Sequence, residues 1–248
     1  MLSRIPIQLL ERYRPLSTWE AFYLRTRWRL CPFELVESQV PRKGRILDFG
    51  CGYGMLSNFL ALKGPDRRVL GIDLNRDRIG VAKRASKGHP EVTYQLGDVR
   101  DFQGIPFDAV VMTDVLHHID DENARVLLRI IRSCLSDQGV LVVLDVDRSP
   151  FRKFYTTYLI DRLLNLTRSL HYRSRDLLLL LLGKSGLRVQ EVVRADRGLP
   201  LSDVIYLCKK ESEAPPAPSP NPSSILRSSH ATEDGHRGRG NCCRREKI

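Results

Sequence analysis

Residues 46–54 read Ile-Leu-Asp-Phe-Gly-Cys-Gly-Tyr-Gly, so an apolar run ends in Asp48 and glycines follow at 50, 52 and 54. Leu56, Phe59, Leu60 and Leu62 come next at helical spacing. A strand, a glycine turn and a helix in succession aim backbone N–H groups and a helix N-terminus at a bound polar ligand. Glycine lets the backbone approach that ligand with no Cβ in the way. Four more acids, Asp73, Asp98, Asp114 and Asp145, fall at or just past the ends of later apolar runs. His117 and His118 follow the fourth run. An imidazole, with a reference pKa of about 6.5, can take up a proton near neutrality. The chemistry on offer is therefore the binding of a polar ligand, with a base close by for a reaction that releases a proton.

These residues need a scaffold that brings strand ends together. The sequence predicts strands at 45–49, 68–73, 92–96, 107–114 and 139–145, with helices near 55–63, 75–87 and 121–136. Apolar strands alternating with amphipathic helices imply a parallel sheet covered on both faces, with ligands beyond the carboxyl ends of its strands. Two further strands, 187–194 and 203–210, joined by a loop with Gly198 and Pro200, place an antiparallel strand in that sheet. Residues 1–44 read as a basic helical cap. Ser17 to Glu20 have capping-box spacing, and Pro32 starts a helix whose Phe33, Leu35, Val36 and Val40 pack on the main domain. Residues 146–186 read as a helical insertion, basic and rich in Leu and Tyr, with its six consecutive leucines (177–182) buried on several sides and Gly183 and Gly186 ending it. Together with the cap, this insertion is expected to form a lid. The domain scheme is thus 1–44, 45–210 and a Pro/Ser-rich disordered tail at 211–248.

Four motifs in order carry a family resemblance. Residues 46–54 match hydrophobic-hydrophobic-Asp-x-Gly-x-Gly-x-Gly; Gly71–Asn75 (GIDLN) ends a second strand in an acid; Gly97–Val99 follows the third strand; and Phe107–Ile119 (FDAVVMTDVLHHI) spans the fourth. Residues 45–210 thereby resemble a class I S-adenosylmethionine-dependent methyltransferase of the small-molecule branch. The resemblance implies an α/β fold, doubly wound around a mostly parallel seven-stranded sheet, and S-adenosyl-L-methionine as cofactor. It implies cofactor contacts for Asp48, Gly50, Cys51, Gly52, Asp73, Leu74, Asp98, Val99 and Asp114. Among them, Asp48 orients the ammonium end, Asp73 accepts from both ribose hydroxyls, and Asp98 and the Val99 N–H meet the adenine. His117 and His118 are the candidate catalytic bases. The alternative is that one packs on the cofactor while the other caps the next turn, since many methyl transfers need no base. Tyr155, Tyr158 and Tyr172 are candidates for the acceptor pocket or plain helix packing.

Composition narrows the partners. The net charge of +11 is uneven: seven basic residues stand against one acidic between 148 and 175. A small hydrophobic or anionic, lipid-like acceptor suits such a lid, with peripheral contact to a membrane or anionic lipid. A nucleic-acid methyltransferase is the alternative suggested by charge, although the chain carries no Asn/Asp-Pro-Pro-Tyr motif. An inactive cofactor-binding partner protein is another. A nicotinamide enzyme is a rival reading because Asp73 lies 19 residues after Gly54, but the third glycine follows the second by two positions rather than three. The six cysteines show no paired framework, which suits a reducing cytoplasm. No metal-ligand spacing appears, and no metal is expected. No run of residues is long and apolar enough to span a bilayer.

Overall fold

Seven strands form a single sheet in the computed structural model, which describes residues 4–14, 17–164, 170–196 and 201–211. They are β1 Lys43–Phe49, β2 Asp66–Asp73, β3 Val92–Leu96, β4 Phe107–Thr113, β5 Leu135–Val146, β6 Leu187–Arg194 and β7 Asp203–Lys210. Their order is β3-β2-β1-β4-β5-β7-β6. Strands β1 to β5 pair in parallel, whereas β7 runs antiparallel between β5 and β6. This is the expected α/β, doubly wound sheet, and the order reverses at β1 and β4, where such folds open a crevice for ligands.

The core is two apolar layers, one on each face of the sheet. Ile46 of β1 points into one and Leu47 into the other, as strand alternation requires. The first layer gathers α1 Ile7–Arg12, α2 Thr18–Leu30, α3 Phe33–Ser38, α4 Met55–Lys63 and α5 Arg76–Ala85, with Trp28 wedged edge-on against Phe59. The second gathers α6 Asp121–Cys134 and α8 Arg175–Lys184. Helix α6 starts on the Asp120 side chain, carries acids in its first turn, and buries Ala124, Leu127, Leu128, Ile131 and Cys134 as one stripe. Helix α2 begins with the Ser17–Glu20 capping box, and Phe33, Val36 and Val40 are buried as the sequence predicts. Residues 1–211 form one compact unit, which includes the N-terminal helices. The tail beyond it and the Gly198–Pro200 loop lie outside the described residues.

The 146–186 stretch departs from its expected form. It is two helices, α7 Phe151–Leu164 and α8, and residues 170–173 between them are not helical. Gly183 lies inside the last turn of α8, which runs on to Lys184, and Gly186, at φ +73°, marks the turn beyond. The leucine run is not buried on several sides. Leu178, Leu181 and Leu182 face the core, while Leu177 and Leu180 are exposed, because consecutive residues in a helix point all round its axis. Among the described residues no helix is long and apolar enough to cross a membrane.

Candidate active site

The glycine loop runs from the end of β1 to the start of α4, with Gly50, Gly52 and Gly54 all at positive φ. At Gly54 the requirement is also spatial, since a Cβ there would lie 2.4 Å from the Tyr94 hydroxyl. At Gly52 a Cβ would meet nothing within 4 Å, so this side of the loop faces open space. Asp48, fully buried, accepts a 2.5 Å hydrogen bond from Ser57 Oγ on its Oδ2. Its Oδ1 is buried and has no hydrogen-bond partner among the described residues. Burial pushes the Asp48 carboxyl up to about 6, against the lowering effect of Ser57. Cys51 is buried in the loop, and burial raises its thiol well above the ordinary range, which suits packing rather than nucleophilic chemistry.

Asp73, at the end of β2, lies against the loop. Its Oδ2 accepts from the Gly52 N–H at 2.9 Å and its Oδ1 from the Asn75 N–H at 2.8 Å. Each oxygen keeps a second lone pair. Leu74, the next residue, is 75% exposed, a high value for a leucine beside a crevice. Asp98 caps the short turn Val99–Phe102, accepting from the Arg100 N–H at 3.1 Å and pairing with the Arg100 guanidinium at 3.1 Å. Burial raises its carboxyl, but the Arg100 bonds outweigh this and hold it below the ordinary range. Val99 is fully buried. Asp98 therefore has a structural duty already, as an acid opening a turn commonly does.

Asp114 has φ +57°, strained for a residue with a side chain. Arg27 of α2 reaches over the sheet to pair with its Oδ2 at 2.6 Å. Burial raises the Asp114 carboxyl, but Arg27 outweighs this and holds it below the ordinary range. Three residues on, His117 is buried, and its Nδ1 lies 2.6 Å from Oδ1 of Asp145, at the end of the neighbouring strand β5. The Val146 N–H also donates to that oxygen at 2.8 Å. Tyr172 stacks on the His117 ring (5.4 Å between centroids, 15° between planes), and His118 lies 4.2 Å away. Phe154 and Tyr158 of α7 pack on Tyr172, which links that helix to the imidazole beneath Tyr172.

Sequence reasoning missed several residues that hold this arrangement. Arg173 is buried and donates to the Leu116 and Ile119 carbonyls, at 2.7 and 2.6 Å, clamping both flanks of the histidine turn. Arg27 stood out only as one arginine among aromatics, and Asp145 only as a strand-end acid. The spacing of Phe107–Ile119 against 139–145, two adjacent parallel strands, was the available signal for the second. Arg173 had none. Among the described residues no group of His, Cys, Asp and Glu could hold a metal ion.

A doubly wound sheet with a glycine loop at its switch point, an acid ending β2 and a paired imidazole after β4 is an arrangement suited to a nucleotide-type cofactor. Residues 23–192 match the family model of the methyltransferase domain, and the chain belongs to that family, the class I S-adenosylmethionine-dependent methyltransferases. It is 29% identical over 153 residues to the mitochondrial ubiquinone biosynthesis O-methyltransferase of Saccharomyces cerevisiae, covering 57% of this chain and 47% of that one. It is 34% identical over 114 residues to the ubiquinone biosynthesis O-methyltransferase of Xanthomonas axonopodis pv. citri, covering 44% and 46%. The chain thus spans about half the length of the curated relatives it matches. Among solved structures, an S-adenosylmethionine-dependent methyltransferase from Methanosarcina mazei superposes with a TM-score of 0.59 at 20% identity, covering 72% of this chain and 98% of that one. A likeness at that identity shows the fold alone.

Proposed function

We propose that this chain transfers the methyl group of S-adenosylmethionine to a hydroxyl oxygen of a small acceptor with a large apolar part, of hydrophobic or anionic, lipid-like character. Oxygen is chosen because the curated relatives are named O-methyltransferases. The acceptor class follows from the aromatic inner face of α7 above His117 and the basic charge of 148–175.

The residues present fit the cofactor. Asp48 offers a buried carboxylate oxygen with no hydrogen-bond partner among the described residues, as an ammonium group would require. The Gly52 backbone borders open space, and Asp73 keeps lone pairs for a diol. The exposed Leu74 side chain is an apolar surface for a flat base. Asp98, Val99, Cys51 and Asp114 complete the set, with Asp98 doubling as a cap. The bound cofactor supplies an electrophilic methyl group on a sulfonium. The chain's task is to align the acceptor oxygen and to take its proton.

The observation that carries the reading is the buried His117–Asp145 pair. A carboxylate accepting from Nδ1–H sets the tautomer and leaves Nε2 as the basic nitrogen. It also stabilises the imidazolium formed when the acceptor gives up its proton. His118 is assigned to packing against His117. A panel of phenolic acceptors with and without alkyl tails tests this. His117→Ala and Asp145→Asn are each expected to lower kcat by about 10²–10⁴-fold, with the Kd for S-adenosylhomocysteine held within about twofold. Wild-type kcat in Asp145→Asn, or methylation confined to nitrogen or carbon acceptors, would overturn the assignment.

A further inference from the structure

Helix α7 is apolar on two opposite faces. Its inner face is anchored: Phe154 packs on Tyr172, Thr157 Oγ1 accepts from the Ser202 N–H at 3.2 Å, and Lys153 pairs with Asp196. These contacts fix which side looks outward. On that side Phe151 is 71% exposed, Tyr155 51% and Leu159 49%, at i, i+4 and i+8. A helix with apolar residues on both faces, one of them packed on its own protein, has its other face suited to a second apolar medium. Arg152 is exposed too, and seven residues before Leu159 it falls on nearly the same side of the helix. Arg148, just ahead of the helix, is also exposed.

We infer that the outward face of α7 is a docking surface for an anionic bilayer. Phe151, Tyr155 and Leu159 enter the headgroup–acyl boundary, and Arg152 and Arg148 meet lipid phosphates. Charge decides between a bilayer and a protein partner. Arg148 and Arg152 are exposed beside this face, whereas Lys153 is paired with Asp196 and Arg173 is buried against Asp121; two exposed guanidinium groups flanking an apolar stripe suit an anionic surface and disfavour a second copy of the same face. The helix then stands between the bilayer and the imidazoles beneath Tyr172, so an apolar acceptor dissolved in lipid would have a short path to the site. Docking is read without turnover, so its outcome is independent of the proposed methyl transfer.

The test is sedimentation of the full chain with vesicles of phosphatidylcholine alone or mixed with phosphatidylglycerol, at low and high salt. The wild-type chain is expected to bind the mixed vesicles, more weakly as salt rises. The exposed triple variant Phe151→Ser/Tyr155→Ser/Leu159→Ser should lose about tenfold or more in partition coefficient, and Arg152→Glu about fivefold or more. Both should keep the wild-type melting temperature. In Tyr155→Trp, the emission should shift to the blue on vesicles and be quenched by brominated lipid, which places this helix in the interface. Equal binding by the triple variant, or unquenched emission in Tyr155→Trp, would overturn the inference by making attachment a matter of charge elsewhere. So would concentration-dependent dimerisation that the triple variant abolishes while vesicles go unbound.

Discussion

The Asp48 carboxylate is wholly buried, and among the described residues only its Oδ2 has a hydrogen-bond partner, Ser57. Burial lifts its pKa from the ordinary 3.8 to about 6. In that window the folded chain holds the proton more tightly than the unfolded chain. Stability from this residue therefore falls as pH rises from about 4 to 6, and the full penalty, about 3 kcal/mol, applies above that. A group that weakens the fold at neutral pH is a sign of binding, because a cationic ligand would restore what burial removes. Asp48→Asn tests this. It should stabilise the ligand-free chain by about 1–3 kcal/mol at pH 7.5 and by progressively less toward pH 5, where the native carboxyl is already neutral. Affinity for S-adenosylhomocysteine should fall at least tenfold. Urea titrations at both pH values, with calorimetry for the ligand, read both effects. A loss of stability at pH 7.5 would make Asp48 a structural anion.

At the scale of elements, the glycine loop is braced from behind by a buried polar knot. Asn58 of α4 donates from Nδ2 to the Gly54 carbonyl at 3.0 Å, with the hydroxyls of Tyr94 and Tyr13 at 2.8 and 3.2 Å. Its Oδ1 accepts from Arg12 of α1 at 3.0 Å. Tyr13 donates to the Tyr53 carbonyl, and Tyr94 to that of Gly54. Helix α1 is too short to be stable alone, so these bonds fasten it to the loop and make the loop's shape depend on it. Tyr13→Phe should cost about 1–2 kcal/mol and Asn58→Ala about 2–4 kcal/mol of stability. Both should also weaken cofactor binding several-fold, though neither side chain is placed against the cofactor. Lower melting temperatures with an unchanged Kd would reduce the knot to a fold-only role. None of this was legible beforehand. Strands β3, β6 and β7 and helix α4 were read to the residue, because apolar period and flanking turns are local signals. Gly183 misled because one glycine in a helix costs only about 1 kcal/mol, less than the packing of Leu178, Leu181 and Leu182 returns.

Across the whole molecule, the site gathers residues from Arg27 to Arg173 at the carboxyl ends of the strands. The part carried by contiguous motifs, Asp48 through Gly54, Asp73 and the His117–His118 pair, was readable because each motif sits on one strand and its following turn. Arg27 on Asp114, Asp145 on His117 and Arg173 around the histidine turn arise only when distant segments pack, and no local pattern announces them. A global measurement suits a site assembled this way, because any ligand that binds only the folded chain raises its stability. At about 100 times its Kd, S-adenosylmethionine or S-adenosylhomocysteine should stabilise the chain by about 2.7 kcal/mol, raising the melting temperature by about 5–11 °C for a domain of this size. NAD and NADP should have no such effect. Asp73→Ala should abolish the shift with both adenosyl compounds while leaving much of the ligand-free stability in place, because it removes the acceptor for a diol at the exposed end of β2. A shift with the nicotinamides alone would overturn the cofactor assignment. A full shift retained in Asp73→Ala would instead show that the carboxylate serves only the Gly52 and Asn75 amides it already holds.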